Sequence, residues 1–293
     1  MGRLEVLKTY KLYIGGQFPR TESGRYYTPT NKDGQALANV CLSSRKDVRN
    51  CVQAARKAFG GWSERAAFNR GQILYRIAEM LEGRKIQFID ELLKQGLTPS
   101  EAEAEVTMSI DRIVYYAGWC DKYQALLSTV NPVATSHFNF SVAEPMGVVG
   151  VIAPSNYSLL GFVSLVMPVI CGGNTCVFIA SESMPLCAVT FAEVIHASDV
   201  PGGVVNVLTG SAKELTEPMS THMDINAIIY GGDDDTVWTQ IQTAAHLNVK
   251  RVYRYTNNWI NPEAQNLQLI SDTQEIKTTW HPVENIGGAT SSY

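Results

Sequence analysis

Five short apolar runs follow one another along the second half of the chain, and helical segments separate most of them. The runs are MGVVGVIAP, TCVFIA, GVVNVLTG, INAIIYGG and KRVYRY. Short apolar runs bounded by turn residues are typical of strands buried on both faces. Their alternation with helices indicates a parallel sheet. The sequence therefore predicts an α/β fold with a parallel sheet over residues 143–256.

Three segments between these runs are predicted to be helices. They are NYSLLGFVSLVMPVICGGN, SESMPLCAVTFAEVIHAS, which has Pro185 in its first turn, and DDTVWTQIQTAAHL. The first of them, over residues 157–171, is interrupted by Gly161 and Pro168 and is shorter than the roughly 20 residues that cross a bilayer. We therefore expect a core helix there and no membrane span.

Residues 1–137 predict a β-hairpin followed by helices. YIGGQF indicates two strand pieces around a Gly-Gly turn, and a hairpin turning at Asp33-Gly34 follows. Ser44 can cap a helix from Lys46 to Phe59, whose apolar residues recur on one face. Further helices are predicted for AAFNRGQILYRIAEMLEGR and for KIQFIDELLKQ, and a long helix is predicted from Thr98-Pro99 through SIDRIVYYAGWCDKYQAL.

Composition and charge exclude several classes of protein. Apolar residues make up 45% and charged residues 18% of the chain, as in soluble globular proteins. The net charge is −4 and no basic run stands out, so we expect no nucleic-acid or membrane partner. The N-terminus has no signal-peptide layout, and we expect a cytoplasmic protein. The six cysteines lack metal-ligand spacing, so no metal site is predicted and most should be buried.

The order of these segments resembles the aldehyde dehydrogenase superfamily from Tyr10 to about Tyr255. DVRNCVQAARKAFGGW resembles the family's first helix, and EPMGVVGVIAPSNYSLL resembles its first nucleotide-fold strand and turn. GGNTCVFIASESMPLCA is similar to the family pattern AGNTVVLKPSEQTPLSA, and VPGGVVNVLTG is similar to PPGVVNVVTG. The resemblance implies a Rossmann-like region over residues 143–256 within an aldehyde dehydrogenase fold.

The resemblance also implies a chemistry whose residues can be checked. Such enzymes use a cysteine thiolate, an asparagine and a backbone amide for the oxyanion, NAD for the hydride, and a glutamate that activates water. KRVYRYTNNW places Tyr255 or a neighbour at the glutamate position. The last cysteine is Cys187, for which a core position is expected. Because only 38 of the 293 residues follow Tyr255, we expect no catalytic domain there.

The cofactor positions that the resemblance implies are altered as well. The family's Lys-Pro-Ser-Glu is replaced by Ile179, Ala180, Ser181 and Glu182, and its Phe-Thr-Gly-Ser by a segment that includes Gly232 and runs into Asp233, Asp234 and Asp235. The aspartates should cap a helix and repel a pyrophosphate. We therefore expect only vestigial cofactor positions at Ser181, Glu182, Gly210 and Gly232, and a vestigial oxyanion position at Asn156, which should form a turn.

The tail SDTQEIKTTWHPVE resembles the family's final strand, which belongs to a β-flap used for subunit pairing. With Phe138-Val142 in the same flap, residues 257–293 would be a C-terminal segment that carries the oligomerisation strand. The chain would then pass from the nucleotide fold to this strand and omit the catalytic domain. That arrangement resembles the C-terminal, non-catalytic half of a family 16 aldehyde dehydrogenase.

The sequence thus leads to one main hypothesis and two alternatives. The main one is a catalytically inactive domain that forms a homodimer, pairs with an attached catalytic aldehyde dehydrogenase domain, or docks another protein. It would need no cofactor. The first alternative is part of an NAD-dependent aldehyde dehydrogenase whose cysteine another domain or chain supplies. The second is a scaffold that binds another protein or a nucleotide in the old cleft.

Overall fold

The computed structural model describes residues 6–283, which begin with a small sheet of three short strands. These are β1 (Thr9–Tyr10), β2 (Tyr26–Tyr27) and β3 (Asn39–Cys41), in the order β1-β3-β2. The expected Gly-Gly turn is confirmed by the bridge between Ile14 and Gln17, and the turn at Asp33-Gly34 by the bridge between Thr30 and Ala36. The parallel pairing of β1 with β3 was not predicted.

Four helices and a short fifth one follow, close to where their apolar periodicity predicts them. They are α1 (Arg45–Ser63), α2 (Ala67–Glu82), α3 (Lys85–Lys94), α4 (Pro99–Ala117) and α5 (Tyr123–Leu127). The prediction of one long helix from Thr98-Pro99 was wrong, because the helix ends at Ala117 with Gly118 as its C-cap and a turn precedes α5. Ser44 caps α1 with a capping box, as expected. This helix runs one turn beyond Phe59 because Trp62 is fully buried and its indole N–H donates to the Ile170 carbonyl at 3.0 Å.

Two strands, β4 (Thr129–Asn131) and β5 (His137–Pro145), then lead into the parallel sheet. The sheet and its helices comprise β6 (Val148–Ile152), α6 (Leu160–Cys171), β7 (Thr175–Ile179), α7 (Leu186–His196), β8 (Val205–Leu208), α8 (Ala212–Ser220), β9 (Ala227–Tyr230), α9 (Asp235–Ala245) and β10 (Arg251–Arg254). All five predicted strands are confirmed, and they pair in parallel in the order β10-β9-β6-β7-β8. Pro185 is the residue before α7 and not part of its first turn.

The core explains why the strand sequences are apolar throughout. Every residue of β6, β7, β8 and β9 is buried, because helices cover both faces of the sheet. Val149 and Val151 belong to the core cluster that includes α6, whereas Val148 and Ile152 belong to the cluster that includes α1 and α8. All side chains of α6 are buried, which confirms a core helix. Within residues 6–283, no helix is long and apolar enough to cross a bilayer.

A short connector joins the parallel sheet to the last strand. Residues 255–273 hold a 3-10 turn (Pro262–Ala264) and α10 (Gln268–Ser271), and β11 (Gln274–Pro282) follows. This strand pairs antiparallel with the whole of β5, and β5 pairs with β4 on its other side. The sheet β11-β5-β4, called here the exposed sheet, thus contains both the predicted terminal strand and Phe138-Val142. Its predicted part in oligomerisation remains a prediction.

Candidate nucleotide site

Strand order in the parallel sheet reverses next to β6, which places a crevice at the carboxyl ends of β6 and β9. Open α/β sheets bind their ligands at such a switch point. Residues 154–156 after β6 and residues 231–233 after β9 line one cavity there. The structure therefore brings together Asn156 and Gly232, two of the positions that the sequence indicated.

The cavity at this crevice is small. Its volume is about 180 Å³, and Thr256, Asn257 and Trp259 of the connector complete its lining. Pockets that hold drug-sized ligands or cofactors usually measure roughly 300–1,000 Å³. A wider groove of about 800 Å³ runs along the surface of α9 as far as Leu247, away from the residues 154–156 and the connector. The cavity at the crevice is thus smaller than the pockets that usually hold a cofactor.

The N-terminal amides of α9, which could otherwise bind a phosphate, are occupied by the chain itself. The Asp234 carboxylate accepts hydrogen bonds from the backbone N–H groups of Thr236 at 2.7 Å and Val237 at 3.3 Å. The Asp234 N–H donates in turn to the Tyr230 hydroxyl at 3.1 Å. That hydroxyl lies 2.5 Å from where a Cβ on Gly232 would stand, so the phenol ring fills the space against this glycine.

The second helix that begins at the crevice, α6, is capped in a similar way. Glu105 of α4 accepts hydrogen bonds from the N–H groups of Leu159 at 2.8 Å and Leu160 at 3.1 Å. Glu105 is 2% exposed, and burial raises its pKa while the two hydrogen bonds oppose that rise. Sequence reasoning missed this contact. The signal available was a carboxylate at a core-facing position of a predicted helix.

Charge at the crevice also disfavours a pyrophosphate. Asp233, Asp234 and Asp235 are all exposed at the start of α9. The backbone hydrogen bonds from Thr236 and Val237 lower the pKa of Asp234, which keeps it ionised. The nearby cation, Arg254, is already engaged with the Asp235 carboxylate at 2.6 Å and the Gly232 carbonyl at 3.2 Å. Amides, space and charge at this crevice do not fit NAD.

Of the other predicted cofactor positions, Ser181 and Gly210 contact neighbouring loops, whereas the side chain of Glu182 is exposed. The Ser181 hydroxyl donates to the Ser155 carbonyl at 2.9 Å and accepts from the Met184 N–H at 3.2 Å. Glu182 is exposed, and its carbonyl accepts a hydrogen bond from Tyr27. Gly210 has φ +134°, and a Cβ there would meet the Ser43 backbone nitrogen at 3.0 Å. The chain's own packing therefore accounts for these contacts.

Asn156 and Tyr255 occupy the positions that the resemblance assigned to the oxyanion and to the base. Asn156 is exposed beside Tyr157, which has φ +61° and whose hydroxyl donates to Asn258 at 2.8 Å. The Tyr255 hydroxyl donates to the Asp272 carboxylate, and burial together with Asp272 raises its pKa. A phenol held protonated in this way cannot activate a water molecule as a base.

All six cysteines are buried. Burial raises the pKa of the Cys176 thiol to about 12, and it raises the pKa values of Cys51, Cys171 and Cys187 well above their ordinary range. For Cys187 the carboxylates of Glu91 and Glu105 act in the same direction. A nucleophilic cysteine needs an accessible thiolate. The expectation that Cys187 is a core residue is confirmed.

Comparison with known proteins identifies what this fold and crevice are similar to. A family model described as the aldehyde dehydrogenase family matches residues 15–254. Cytosolic 10-formyltetrahydrofolate dehydrogenase of Mus musculus is 33% identical over 256 residues, which is 85% of this chain and 28% of that protein. An aldehyde dehydrogenase of Davidiella tassiana is 32% identical over 245 residues, which is 82% of this chain and 49% of that protein.

Solved structures agree with these relatives. The NAD+ complex of aldehyde dehydrogenase from Bacillus cereus matches with a TM-score of 0.80 at 25% identity, over 84% of this chain and 50% of that one. A variant of aldehyde dehydrogenase C from Pseudomonas syringae, in complex with NAD+ and octanal, matches with a TM-score of 0.77 at 30% identity, over 83% and 49%. The chain spans half or less of these four proteins. From the family match and the parallel sheet together, the chain belongs to the aldehyde dehydrogenase family.

Proposed function

We propose that this chain is a non-catalytic domain of the aldehyde dehydrogenase family that serves in association with another polypeptide. The observation that carries the proposal is the occupied crevice. At the switch point of the sheet, Glu105 caps the amides of α6, and Asp234 with Tyr230 takes those of α9. A dinucleotide would have to displace these groups and overcome three carboxylates, so we expect no functional NAD site.

The connector between β10 and β11 supports the same proposal. It passes from the parallel sheet to the exposed sheet within residues 255–273, and it is well packed: Trp259, Ala264, Leu269 and Ile270 are all buried. Arg112 of α4 donates to the Asn261 carbonyl at 3.2 Å and so holds its middle. Such packing indicates that the connector is a stable part of this fold. No further domain is needed between β10 and β11 to stabilise it. No accessible thiol lies among residues 6–283.

The exposed sheet supports the second half of the proposal, association. Large apolar side chains on or beside it are largely exposed: Val130 (64%), Phe138 (48%), Ile276 (58%), Trp280 (57%) and Val283 (50%). Phe138 and Phe140 also line, with Val130 and Val142, a shallow groove of about 370 Å³. By the strand register Val130 and Phe138 lie on one face of the sheet, whereas Ile276 and Trp280 lie on the other. Exposed apolar side chains clustered on a sheet are typical of an interaction site. The partner in this proposal is a protein.

Calorimetric titration with NAD tests the proposal against an intact dehydrogenase. We expect no heat of binding at millimolar NAD, and no NADH formation when the purified chain is mixed with NAD and an aliphatic aldehyde. An active aldehyde dehydrogenase, measured in the same buffer, serves as the positive control. Binding at micromolar NAD would contradict the proposal and would favour a domain whose missing cysteine is supplied elsewhere.

A further inference from the structure

A second cavity, which shares no lining residue with the crevice, lies between the start of α1 and the end of α8. Its volume is about 560 Å³. Three cationic side chains, Arg45, Lys46 and Arg49, line it together with a single carboxylate, Glu22, and His222 lies on the side of α8. Because the whole chain has a net charge of −4, this cavity, called here the cationic cavity, differs from the average surface.

The three cations lie where the folding of α1 disfavours them. Arg45 and Lys46 stand in the first turn of the helix and Arg49 follows, at the positive end of the helix dipole. Arg45 and Arg49 are also four residues apart, a spacing at which like charges on a helix repel each other. Glu22 pairs with Lys46 at 3.2 Å, and no ion pair among residues 6–283 includes either arginine. The stability of α1 therefore gives no reason for this cluster.

His222 adds a hydrogen-bond donor to the facing wall. Its Nδ1 accepts from the backbone N–H of Asp224 at 3.2 Å, so a neutral imidazole carries its proton on Nε2. Burial lowers the pKa of His222; the Asp224 carboxylate opposes this effect, and the charges of Lys250 and Arg49 add to it. The imidazole is therefore neutral at neutral pH and can donate to an anion through Nε2.

Lys250 adds positive charge behind the same wall. It is 6% exposed, and its Nζ donates to the His222 carbonyl at 2.9 Å. Burial lowers its pKa to about 8, so it is mostly charged at neutral pH. A carbonyl offsets this charge only in part, and an anion in the cationic cavity would offset it further.

We propose that the cationic cavity binds a small soluble phosphate monoester. Arg45 and Arg49 can donate to phosphate oxygens, and a dianion between them removes their mutual repulsion. The volume is within the usual range for small-molecule sites, so the cavity holds an organic group as well as the phosphate. Pro218 and Thr221 provide an uncharged wall for that group. Side chains form the site, because Ser44 already caps the amides of α1.

Calorimetric titration with phenyl phosphate tests this site, because the probe joins a phosphate monoester to a compact organic group. Above neutral pH its phosphate is a dianion, since the second pKa of such esters is about 6. We expect one molecule to bind per chain with a sub-millimolar dissociation constant, and inorganic phosphate to bind more weakly. NAD has no phosphate monoester and should not compete.

Arg49→Gln should raise the dissociation constant of phenyl phosphate about tenfold or more, since a charge-assisted hydrogen bond is lost. Arg45→Gln should act in the same way and provides a second variant. Lys57→Gln is the matched control, because it removes the same charge from an exposed position of α1 outside the cavity. Its affinity should equal that of the wild type.

The melting temperature separates a binding role of Arg49 from a structural one. Arg49→Gln should melt at the wild-type temperature or slightly above it, because the substitution relieves repulsion at the start of α1. A clear decrease would contradict a cluster that is retained for a ligand.

Three results of the titrations would overturn the proposal. Equal losses of affinity in Lys57→Gln and Arg49→Gln would show that binding follows net charge alone. Absence of binding at millimolar phenyl phosphate would exclude the site, and inorganic phosphate that binds as tightly would exclude a monoester as its ligand. Because the cationic cavity shares no lining residue with the exposed sheet, a monomeric wild type would contradict the proposed association but not this site.

Discussion

The crevice of the parallel sheet and the exposed sheet contrast in how their polar and apolar groups are used. At the crevice, groups that could bind a ligand are hydrogen-bonded within the chain. Asp234 accepts hydrogen bonds from the amides of α9, and Glu105 accepts them from the amides of α6. In the exposed sheet, apolar groups that could be buried remain in solvent, as Ile276 and Trp280 do. Among residues 6–283, the fold thus satisfies the helix amides of the first region and leaves apolar side chains of the second exposed.

The contrast indicates which of the two regions carries the function of such a domain. A site inherited from a fold loses its ligand when the chain's own side chains satisfy the same hydrogen bonds, even though the sheet and its switch point persist. Exposed apolar side chains on an unpaired edge are not buried by such contacts within the chain. The comparison predicts that substitutions at the crevice change folding stability, whereas substitutions in the exposed sheet change association.

The largest difference in folding stability is expected between substitutions of two tryptophans. Trp259 is 1% exposed in the connector, and Trp280 is 57% exposed on β11. Trp259→Ala should lower the free energy of unfolding by roughly 3–5 kcal/mol, because it leaves a large cavity. Trp280→Ala should cost about 1 kcal/mol or less, mainly through its edge contact with His137. Urea denaturation of both variants measures the difference, and equal losses would erase the contrast.

Glu105 should show the next largest effect. Glu105→Ala leaves the N–H groups of Leu159 and Leu160 without an acceptor and should cost roughly 1.5–3 kcal/mol. Glu105→Gln keeps one acceptor oxygen and should cost less. Thermal or urea unfolding at neutral pH separates the two variants. A Glu105→Ala protein as stable as the wild type would show that this cap does not hold α6.

The pH dependence of the same residue can be predicted in sign. Burial raises the folded-state pKa of Glu105, so the folded protein holds its proton more tightly than the unfolded chain. The protonation-dependent part of the stability that Glu105 contributes is therefore complete below its unfolded pKa and is lost as pH rises through the raised folded pKa, whereas its hydrogen bonds from Leu159 and Leu160 contribute at neutral pH as well. The free energy of unfolding of the wild type minus that of Glu105→Gln should therefore fall from acidic to neutral pH. A rise would contradict a raised pKa for Glu105.

Two serines at the crevice offer a smaller, matched comparison. Ser181 and Ser183 each donate to the Ser155 carbonyl at 2.9 Å, but Ser181 is 8% exposed and Ser183 is exposed. Ser181→Ala should cost about 1 kcal/mol of unfolding free energy, and Ser183→Ala only a few tenths. Neither should alter NAD binding, which we expect to be absent. A selective effect of Ser181→Ala on NAD binding would restore its role as a cofactor residue.

The smallest effect on folding is expected in the exposed sheet. Ile276→Lys replaces a side chain that is 58% exposed, so the free energy of unfolding at high dilution should change by about 0.5 kcal/mol or less. The dissociation constant of the complex that the exposed sheet forms should nevertheless rise about tenfold, since a charged side chain replaces an exposed apolar one. Sedimentation across a dilution series measures it. Unchanged association would move the interface away from β11.

Much of the fold could be predicted from the sequence because its signals are local. The apolar runs, the helix cap at Ser44, the helix start at Thr98-Pro99 and the turn at Asp33-Gly34 all depend on residues close in sequence, and the structure has them where expected. The helix α8 was missed because Pro218 and its mixed polarity weaken the helical pattern. The parallel pairing of β1 with β3 was missed because it joins residues about thirty positions apart.

The candidate site was predictable only in part, because some of its contacts join residues that are far apart in the sequence. The aspartates at the start of α9 indicate a cap, and Asp234 is one. That the Tyr230 hydroxyl accepts from the Asp234 N–H could not be read from residue types alone, since it depends on the ring turning back against Gly232. The cap of α6 by Glu105 spans more than fifty residues and has no local signature.

Sedimentation equilibrium of the purified wild-type chain, with and without NAD, measures whether the protein functions through association or through the crevice. We expect a reversible dimer at micromolar concentration that dissociates on dilution and is unaffected by added NAD. A strictly monomeric protein over that range, or a dimer that forms only when NAD is bound, would contradict it.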